Sequence, residues 1–408
     1  MSNSAQRRIR LRRDSQQWGY DRAVKETGRV YHFQPNGRGS LPESVKMHDM
    51  ISKHLGRTAL RFERLAAAED AAGHPTTALE HYFAAAVRFG EAQHPVLVNN
   101  EEKKFLHAGA LRCFEQVRRL APYRIDRVEV PWNGVTLSGY LHHAPGEGPK
   151  PLVFMIPGCD MTKEFLPNPL YNWAGHRDVH LFVFDGPGQG ECNIQDVALT
   201  IDNYEEAATV VLDHLVTLPE VDEDQLALYA MSFGSWWGVR FAAVEKRFKA
   251  AYFPWASICD KYYLFEEESP RYKQLFSFMT RIPTEAQLDE FIAQMGLEGI
   301  IDRISCPTLM TVGEYDPRSP LEEVYEHYDR MSAPKELWVF ADQHHQNTVR
   351  TAGGAFWLLD THSMGIDWIK DRLAGKLLER DGQVLYVEPT SPGPNAAAVP
   401  TKRHWYED

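Results

Sequence analysis

The stretch that decides the fold of this 408-residue chain is LALYAMSFGSWW, residues 226–237. An apolar, strand-like run ends at AMSFG, residues 230–234, and a helical pattern follows at once. This is the context of a nucleophile elbow, in which a strained turn between a strand and a helix exposes a serine hydroxyl above a sheet. Ala230 stands where the usual motif has its first glycine, and it is still a small residue. The stretch therefore predicts Ser232 as a nucleophile.

Short apolar runs alternate with helix-length segments through the middle of the chain. The runs are residues 152–156, 179–184, 226–231, 250–253, 309–312 and 337–340. Such alternation predicts a mostly parallel sheet with helices on both faces. Ahead of the runs, Asn133 and Gly134 lie between apolar residues in the pattern of a β-hairpin. Ligands of such sheets bind beyond the carboxyl ends of the strands, so functional residues should directly follow the apolar runs.

An acid and a base follow two of these runs. Asp316 comes after residues 309–312, and His344 and His345 come after residues 337–340. The order of serine, acid and histidine along the chain is that of the α/β-hydrolase fold, and other triad folds have other orders. A histidine is needed to take the serine proton, and the aspartate fixes the imidazole tautomer. On these residues alone, either histidine can be the base.

The oxyanion hole of this fold uses the N–H of the residue after the nucleophile, which is Phe233, and an N–H from an earlier strand–helix loop. That loop is PGCDMTKE, residues 157–164, where Gly158 permits close backbone approach and Cys159 is the second expected donor. The Cys159 thiol itself lacks an evident base and is not expected to be a nucleophile.

Two further patterns could suggest a cofactor or a metal. The loop FDGPGQGE, residues 184–191, lacks the glycine order of a dinucleotide fingerprint and predicts a tight turn ahead of a helix. The pairs His142-His143 and His344-His345 have neither an HExxH motif nor a set of flanking carboxylates. We therefore expect no cofactor and no metal.

The chain divides into three parts. Residues 1–123 are expected to form an all-helical N-terminal cap domain, because apolar side chains recur at helical spacing between residues 44 and 122. Residues 124–380 carry the hydrolase pattern, interrupted at about 259–300 by a lid insertion with a helix after Thr284. Residues 381–408, whose last stretch is rich in proline, alanine and threonine, are expected to be a poorly ordered tail.

The composition of the chain limits the classes of partner that it is expected to bind. The formal net charge of −12 argues against nucleic acid or an anionic membrane as a partner of the whole chain, and no apolar run is long enough to span a membrane. Five dispersed cysteines indicate reduced thiols and a cytoplasmic protein. Five arginines between residues 7 and 13 are typical of a solvated tail or an oligomer contact, and a transit peptide stays open. A small-molecule substrate is the expected partner, and a homodimer is left open.

Five phrases of the chain resemble the 2,6-dihydroxypseudooxynicotine hydrolase group of α/β-hydrolases, which includes carbon–carbon bond hydrolases and is related to fungal hydrolases that shorten polyketide chains. They are PGCDMTKE, FDGPGQGE, LYAMSFGSWWG, ISCPTLMTVGEYDP and ADQHHQN, within residues 125–375. The resemblance implies Ser232, Asp316 and His344 as the triad, with His345 as the alternative base. It also implies a glutamate after the oxyanion loop, where this chain carries Asp160 to protonate or orient the substrate.

These observations together predict a cofactor-independent serine hydrolase that cleaves a carbon–carbon bond next to a ketone, in a 1,3-diketone or its vinylogue. The aromatic side chains of Trp236, Tyr262, Tyr263 and Phe265 near the predicted site favour an aromatic or polyketide-like substrate. An ester, thioester or amide hydrolase on the same triad is the alternative. A non-catalytic binder or scaffold is a third reading, against which the intact triad argues.

Overall fold

The computed structural model describes residues 45, 49–259, 261–268, 271–347, 359–387 and 399–400. Its strands are β1 (Ile125–Trp132), β2 (Val135–His142), β3 (Lys150–Ile156), β4 (His180–Phe184), β5 (Val221–Ala230), β6 (Phe248–Phe253), β7 (Thr308–Gly313), β8 (Lys335–Phe340), β9 (Gln383–Val387) and β10 (Val399–Pro400). They form one sheet in the order β1-β2-β4-β3-β5-β6-β7-β8-β9-β10.

The sheet is parallel from β4 to β9 and antiparallel at its two edges. At one edge, β1 and β2 pair around a two-residue turn in which Trp132 faces Val135. Both turn residues, Asn133 and Gly134, have positive φ angles of 47° and 82°. A turn of this kind requires positive φ at both central residues, which asparagine and glycine tolerate best. The predicted hairpin is confirmed.

The α-helices of the described residues cover the sheet and extend beyond it. They are α1 (Asp49–Ala71), α2 (Pro75–Gln93), α3 (Glu101–Leu120), α4 (Gly190–Ile194), α5 (Asn203–Leu215), α6 (Gly234–Val244), α7 (Arg271–Thr280), α8 (Glu285–Ile292), α9 (Leu321–Arg330) and α10 (Leu359–Leu373). Side chains of α5 and α6 join one hydrophobic cluster and side chains of α10 join another. None of these helices is both long and apolar enough to cross a membrane.

The central strands have two buried faces. On β3, Phe154 packs into the cluster with α5 and α6, whereas its neighbours Val153 and Met155 pack into the cluster with α10. Side chains alternate across a strand with period two, so a strand covered on both faces becomes apolar at every position. This accounts for the continuous apolar runs of the sequence, and the predicted fold, an α/β-hydrolase sheet with helices on both faces, is confirmed.

The cap consists of α1, α2 and α3, which bury a separate cluster of alanine and aromatic side chains. The cap lies on the β1–β2 hairpin, where the rings of Phe114 and Tyr140 are 4.4 Å apart between centroids. The predicted lid is also helical. It contains a π-helical turn (Tyr263–Glu267), α7 and α8, and α8 follows the N-cap Thr284, whose side chain accepts a hydrogen bond from the N–H of Gln287.

The structure corrects the prediction for the C-terminal segment. Residues 383–387 form β9, which pairs with β8 from Glu336 to Phe340 and extends the parallel sheet. The sequence QVLYV carries a strand-forming apolar run, but the proline-rich and alanine-rich residues that follow it made the whole segment resemble a tail. Residues 1–44, with the arginine cluster, and residues 401–408 lie outside the described residues.

Candidate active site

Ser232 occupies a strained turn between β5 and α6. Its φ angle is +55°, in the left-handed region that costs energy for a residue with a side chain. The turn is held by the N–H of Met231 on the Ile156 carbonyl and the N–H of Ser232 on the Pro254 carbonyl, each at 3.0 Å. A Cβ on Gly234 would lie 2.5 Å from the Pro157 carbonyl oxygen, so glycine is required there. The predicted elbow is therefore present.

Three polar side chains meet at this turn. The Oγ of Ser232 is 2.6 Å from Nε2 of His345, and Nδ1 of His345 is 2.7 Å from Oδ2 of Asp316. Asp316 and His345 are supplied by the loops after β7 and β8, so the carboxyl ends of three parallel strands bring them together. Burial alone raises the pKa of the Asp316 carboxyl, but His345 and Arg318 hold it below its usual range.

The structure corrects the choice between the two histidines. His344, the residue predicted as the base, is exposed, and its Nδ1 hydrogen-bonds the Tyr315 carbonyl at 2.9 Å. Asp342 has a φ of +56°, so the chain after β8 turns sharply before it reaches the pair. His344 is thereby turned to the surface and His345 toward Ser232. The predicted position of His344 beside Ser232 is therefore corrected, and the alternative residue, His345, occupies that position.

The predicted oxyanion loop lies against Ser232. A Cβ on Gly158 would be 3.1 Å from the Ser232 Cβ, which is tighter than ordinary packing, and 3.4 Å from its Oγ. Cys159, Asp160 and Phe233 line the same small pocket as Ser232 and His345. The structure thus brings both expected donor residues and the half-buried Asp160 to the nucleophile.

A buried arginine in this pocket was missed by the sequence analysis. Arg318 is 7% exposed, and its backbone N–H donates to Oδ1 of Asp316 at 3.0 Å. Its guanidinium lies 5.2 Å from the Tyr272 ring centroid, and its Nε is 3.5 Å from the Glu268 carboxylate. Burial alone lowers the pKa of Arg318, but Tyr272, Glu268, Asp316 and Asp160 raise it above its usual range. The only signal in the sequence was its position two residues after the acid.

The four aromatic residues predicted to bind substrate do not line the pocket at Ser232. Trp236 is buried, and its indole N–H donates to the Met295 carbonyl at 2.8 Å. Tyr262 and Phe265 line a different cavity, of about 470 Å³, between the lid and α9. Tyr263 belongs to neither lining. Leu264 of the π-helical turn and Tyr272 of α7 line the pocket instead.

A buried ionic cluster supports the oxyanion loop from behind. The Nζ of Lys163 lies 2.9 Å from Glu164, 2.9 Å from Asp185 and 3.0 Å from Glu191. The side chains of Lys163, Glu164 and Asp185 are fully buried. Burial alone lowers the pKa of Lys163, but the three carboxylates raise it well above its usual value. Because Asp185 and Glu191 belong to the FDGPGQGE loop, the cluster ties that loop to PGCDMTKE.

The cap and the lid meet over the oxyanion loop. Nη1 of Arg271 in α7 lies 3.0 Å from Nε2 of His94, which follows α2. A Cβ on Gly90 of α2 would come within 2.5 Å of the Phe165 ring beside the loop. A second small pocket lies along this seam and shares Cys159 and Asp160 with the pocket at Ser232. The cap therefore forms part of the surroundings of the site.

Elsewhere in the described part of the chain, Asp126, His143 and Glu220 bring ligand atoms within 4.8 Å of one another. The spacing suits a metal ion. Arg124 already supplies a cation there, because its guanidinium is 2.5 Å from the Asp126 carboxylate and 3.3 Å from Glu220. Nε2 of His143 donates to the Asp126 carboxylate at 2.9 Å. We read the group as an ion-pair network at the base of β1 and β2.

The parallel sheet, the strained serine turn and the helical cap define an α/β hydrolase. A family model described as esterase FrsA-like matches residues 54–264, which are 211 of the 408 residues. The chain belongs to the esterase FrsA-like family. The model of acetyl xylan esterase (AXE1) matches residues 202–359.

Individual relatives agree with this class. The 2,6-dihydropseudooxynicotine hydrolase of Paenarthrobacter nicotinovorans is 28% identical over 272 residues, 66% of this chain and 72% of that protein. An α/β hydrolase of Penicillium citrinum is 30% identical over 224 residues, 50% of this chain and about half (51%) of that protein. The crystal structure of 2,6-dihydroxy-pseudo-oxynicotine hydrolase has a TM-score of 0.70 at 25% identity, covering 83% of this chain and 92% of that one. The resemblance seen in the sequence is confirmed, and the chain is a hydrolase.

Proposed function

We propose that this hydrolase uses Ser232 as its nucleophile, His345 as its general base and acid, and Asp316 as the residue that orients His345. The observation that carries the proposal is the unbroken series of contacts from Ser232 Oγ to His345 Nε2 and from His345 Nδ1 to Asp316, at 2.6 and 2.7 Å. Asp316 fixes the tautomer in which Nε2 is free to take the serine proton.

The reaction begins when Ser232 Oγ bonds to a substrate carbonyl carbon and its proton passes to His345. The carbonyl oxygen becomes an oxyanion, which the backbone N–H groups of Phe233 and Cys159 stabilise. The tetrahedral intermediate then breaks the bond to the leaving group, which takes up the proton from His345. Water, deprotonated by His345, cleaves the acyl-serine in the second half of the reaction.

Cleavage of a carbon–carbon bond in a 1,3-diketone is the preferred reaction. The electron pair of the broken bond moves onto the second ketone as an enolate, so the site needs a positive group for that oxygen. Arg318 lines the pocket and remains charged. The relative from Paenarthrobacter nicotinovorans, whose name is that of a hydrolase of a pseudooxynicotine, favours the same reaction.

Asp160 takes a more limited role than proton donation in this proposal. Its charge is one of those that raise the pKa of Arg318, and a nearby cation favours the ionised carboxylate. An ionised Asp160 accepts a hydrogen bond from the enol hydroxyl of a diketone and orients it, while His345 carries the proton. An ester, thioester or amide hydrolase is the alternative, supported by the esterase FrsA-like and acetyl xylan esterase models.

The experiment compares a 1,3-diketone panel with p-nitrophenyl esters, for the unaltered protein and for Ser232→Ala. We expect the substitution to lower kcat by a factor on the order of 10⁶ and to abolish labelling by a fluorophosphonate. Ser235→Ala is the matched control. The Ser235 hydroxyl accepts a hydrogen bond from the Ser257 N–H at 2.7 Å and donates one to the Ser232 carbonyl, so both of its partners are backbone groups. Residual activity above about a tenth in Ser232→Ala excludes the mechanism. Faster turnover of esters than of every diketone supports the alternative.

A further inference from the structure

A buried glutamine joins the oxyanion loop to the loop that follows β4. The Nε2 of Gln189 donates to the Gly158 carbonyl at 2.9 Å, and the side chain is 3% exposed. We propose that Gln189 is a positioning residue: by holding the Gly158 carbonyl, it sets the direction of the Cys159 N–H toward the oxyanion. This inference rests on the proposed serine mechanism, in which Cys159 is one of the two donors.

The constraint on the Cys159 N–H comes from the geometry of one peptide group. The Gly158 carbonyl and the Cys159 N–H belong to the same planar unit, and in a trans peptide they point in opposite directions. The carbonyl accepts from Gln189 Nε2 and from the N–H of Met161, at 2.9 and 3.1 Å. With its oxygen edge held on two donors, the peptide cannot rotate without breaking both hydrogen bonds. The N–H edge is therefore fixed on the side away from Gln189.

A tyrosine fixes the amide of Gln189 in turn. The Tyr204 hydroxyl lies 2.8 Å from Gln189 Oε1, and Tyr204 is 1% exposed. Burial raises the pKa of Tyr204 well above its usual value, so the phenol keeps its proton and donates. The Gly158 carbonyl can only accept, so Nε2 must face it and Oε1 must face the phenol. Both ends of the amide are thereby assigned.

The same tyrosine contacts the nucleophile helix. The rings of Tyr204 and Trp237 in α6 stack with their centroids 4.4 Å apart and 8° between their planes. A Cβ on Gly186 would lie 2.3 Å from the Tyr204 ring, so the loop packs closely on it. The oxyanion loop is therefore connected through Gln189 and Tyr204 to the helix that begins two residues after Ser232. This connection holds the two sides of the oxyanion hole at a constant separation.

The test compares Gln189→Met with Gln195→Met. Gln195 is a matched control, because it bonds the Thr136 backbone with both ends of its amide, at 2.9 and 3.1 Å, away from the nucleophile. Rates on an activated ester are expressed per site titrated by a fluorophosphonate, which corrects for unfolded protein. Binding of an aryl trifluoromethyl ketone, whose adduct with serine carries an oxyanion, is measured in parallel.

For Gln189→Met we expect kcat to fall roughly 10–10²-fold with little change in KM, because a misplaced donor weakens only the transition state. The ketone should lose affinity by a similar factor, and Gln195→Met should change neither quantity. Equal effects of the two substitutions, or a loss confined to the number of titrated sites, would overturn the inference. Should Gln189→Met fail to fold, Tyr204→Phe decides, and unchanged ketone affinity there would also overturn it.

The proposed mechanism and this inference fail in different ways. An unaltered protein that neither reacts with the fluorophosphonate nor hydrolyses any substrate contradicts the serine mechanism itself. An unaltered protein that is labelled and active, with a Gln189→Met variant of equal kcat and equal ketone affinity, contradicts only the positioning role of Gln189.

Discussion

Gly238 of α6 lies directly against the methyl group of Ala230 at the end of β5. A Cβ on Gly238 would come within 2.4 Å of the Ala230 Cβ, closer than two non-bonded carbon atoms approach in proteins, and would lie 3.0 Å from the Phe253 ring, which is a tight contact. The helix can lie this near the strand because one partner of the pair has no side chain. Ala230 is thus accommodated in the elbow by a glycine on the facing helix.

The contact between Ala230 and Gly238 predicts what happens when the two residues are exchanged. Gly238→Ala alone should lower the free energy of unfolding by about 1–3 kcal/mol through overpacking, and should lower the rate by moving Ser232. Ala230→Gly combined with Gly238→Ala should restore most of both, because it exchanges the two side chains. Thermal unfolding and ester turnover of the three variants measure this. Additive losses in the double variant would show that the two residues do not compensate each other.

The two adjacent histidines should differ sharply. His345→Ala removes the side chain that contacts both Ser232 and Asp316, so we expect it to be nearly as damaging to kcat as loss of the serine. His344→Ala removes an exposed ring bonded to the Tyr315 carbonyl, and we expect a change of less than about tenfold. Steady-state kinetics on one ester and one diketone check the contrast. The reverse ranking would restore His344 as the base.

Asp160→Asn should separate the two candidate reactions. If the carboxylate orients the enol of a diketone, its neutral amide should reduce diketone turnover by roughly 10²-fold or more, and ester turnover much less. A p-nitrophenolate leaves without help, so the ester serves as the internal control. Equal losses on both substrates that track a lower Tm would instead assign Asp160 a purely structural part, such as a cap in its loop.

Lys163→Met should be strongly destabilising. It leaves the buried carboxylates of Asp185 and Glu164 without their cation, and breaking a buried ion pair from one side typically costs about 3–5 kcal/mol. Lys104→Met is the control, because the Lys104–Glu101 pair is largely exposed and such pairs contribute less than about 1 kcal/mol. Chemical denaturation gives both values. Similar losses in the two variants would show that the cluster adds no stability.

His107 in α3 predicts a loss of stability in acid. Burial, and next the charge of Lys163, lower the pKa of His107 to about 4 from 6.5. Between those pH values, His107 is largely protonated in the unfolded chain and largely neutral in the folded chain. The free energy of unfolding therefore falls as the pH falls from 6.5 to 4, and His107 contributes up to about 3 kcal/mol to this loss. His107→Phe should remove this share of the loss and make the curve shallower, while His142, His180 and His362, whose pKa values burial also lowers, keep the remaining slope. The exposed His214→Asn should leave it unchanged, and a flattened curve there would contradict the assignment.

The sheet could be predicted from the sequence because its strands are buried on both faces. Residues 152–156 are apolar at every position and residues 309–312 at every position except Thr311, and the polar residues of the candidate site follow at the carboxyl ends of these runs. Ser232 and Asp316 were found in this way. The strand Gln383–Val387 was missed, because its neighbours in the sequence have the composition of a loop while its hydrogen-bonding partner is β8, more than forty residues earlier.

The remaining errors concern directions of side chains, which depend on backbone angles that the sequence does not display. The choice between His344 and His345 is decided by a left-handed φ at Asp342. Tyr262 and Phe265 line the cavity between the lid and α9 and not the pocket at Ser232, and their spacing in the sequence does not show which of the two they face. Arg318 was overlooked because one arginine in a loop has no pattern of its own.

The separation of the three site residues along the chain has a consequence for the protein during its synthesis. The cap helices end at Leu120 and Ser232 follows, but the proposed acid and base lie at Asp316 and His345. A ribosome-bound chain that has emerged only as far as β6 carries a serine with no group to activate it. Domains generally fold as units in the order in which they are made. We therefore expect Ser232 of the unfinished chain to be unreactive, and to become reactive only when β8 and the loop after it join the sheet.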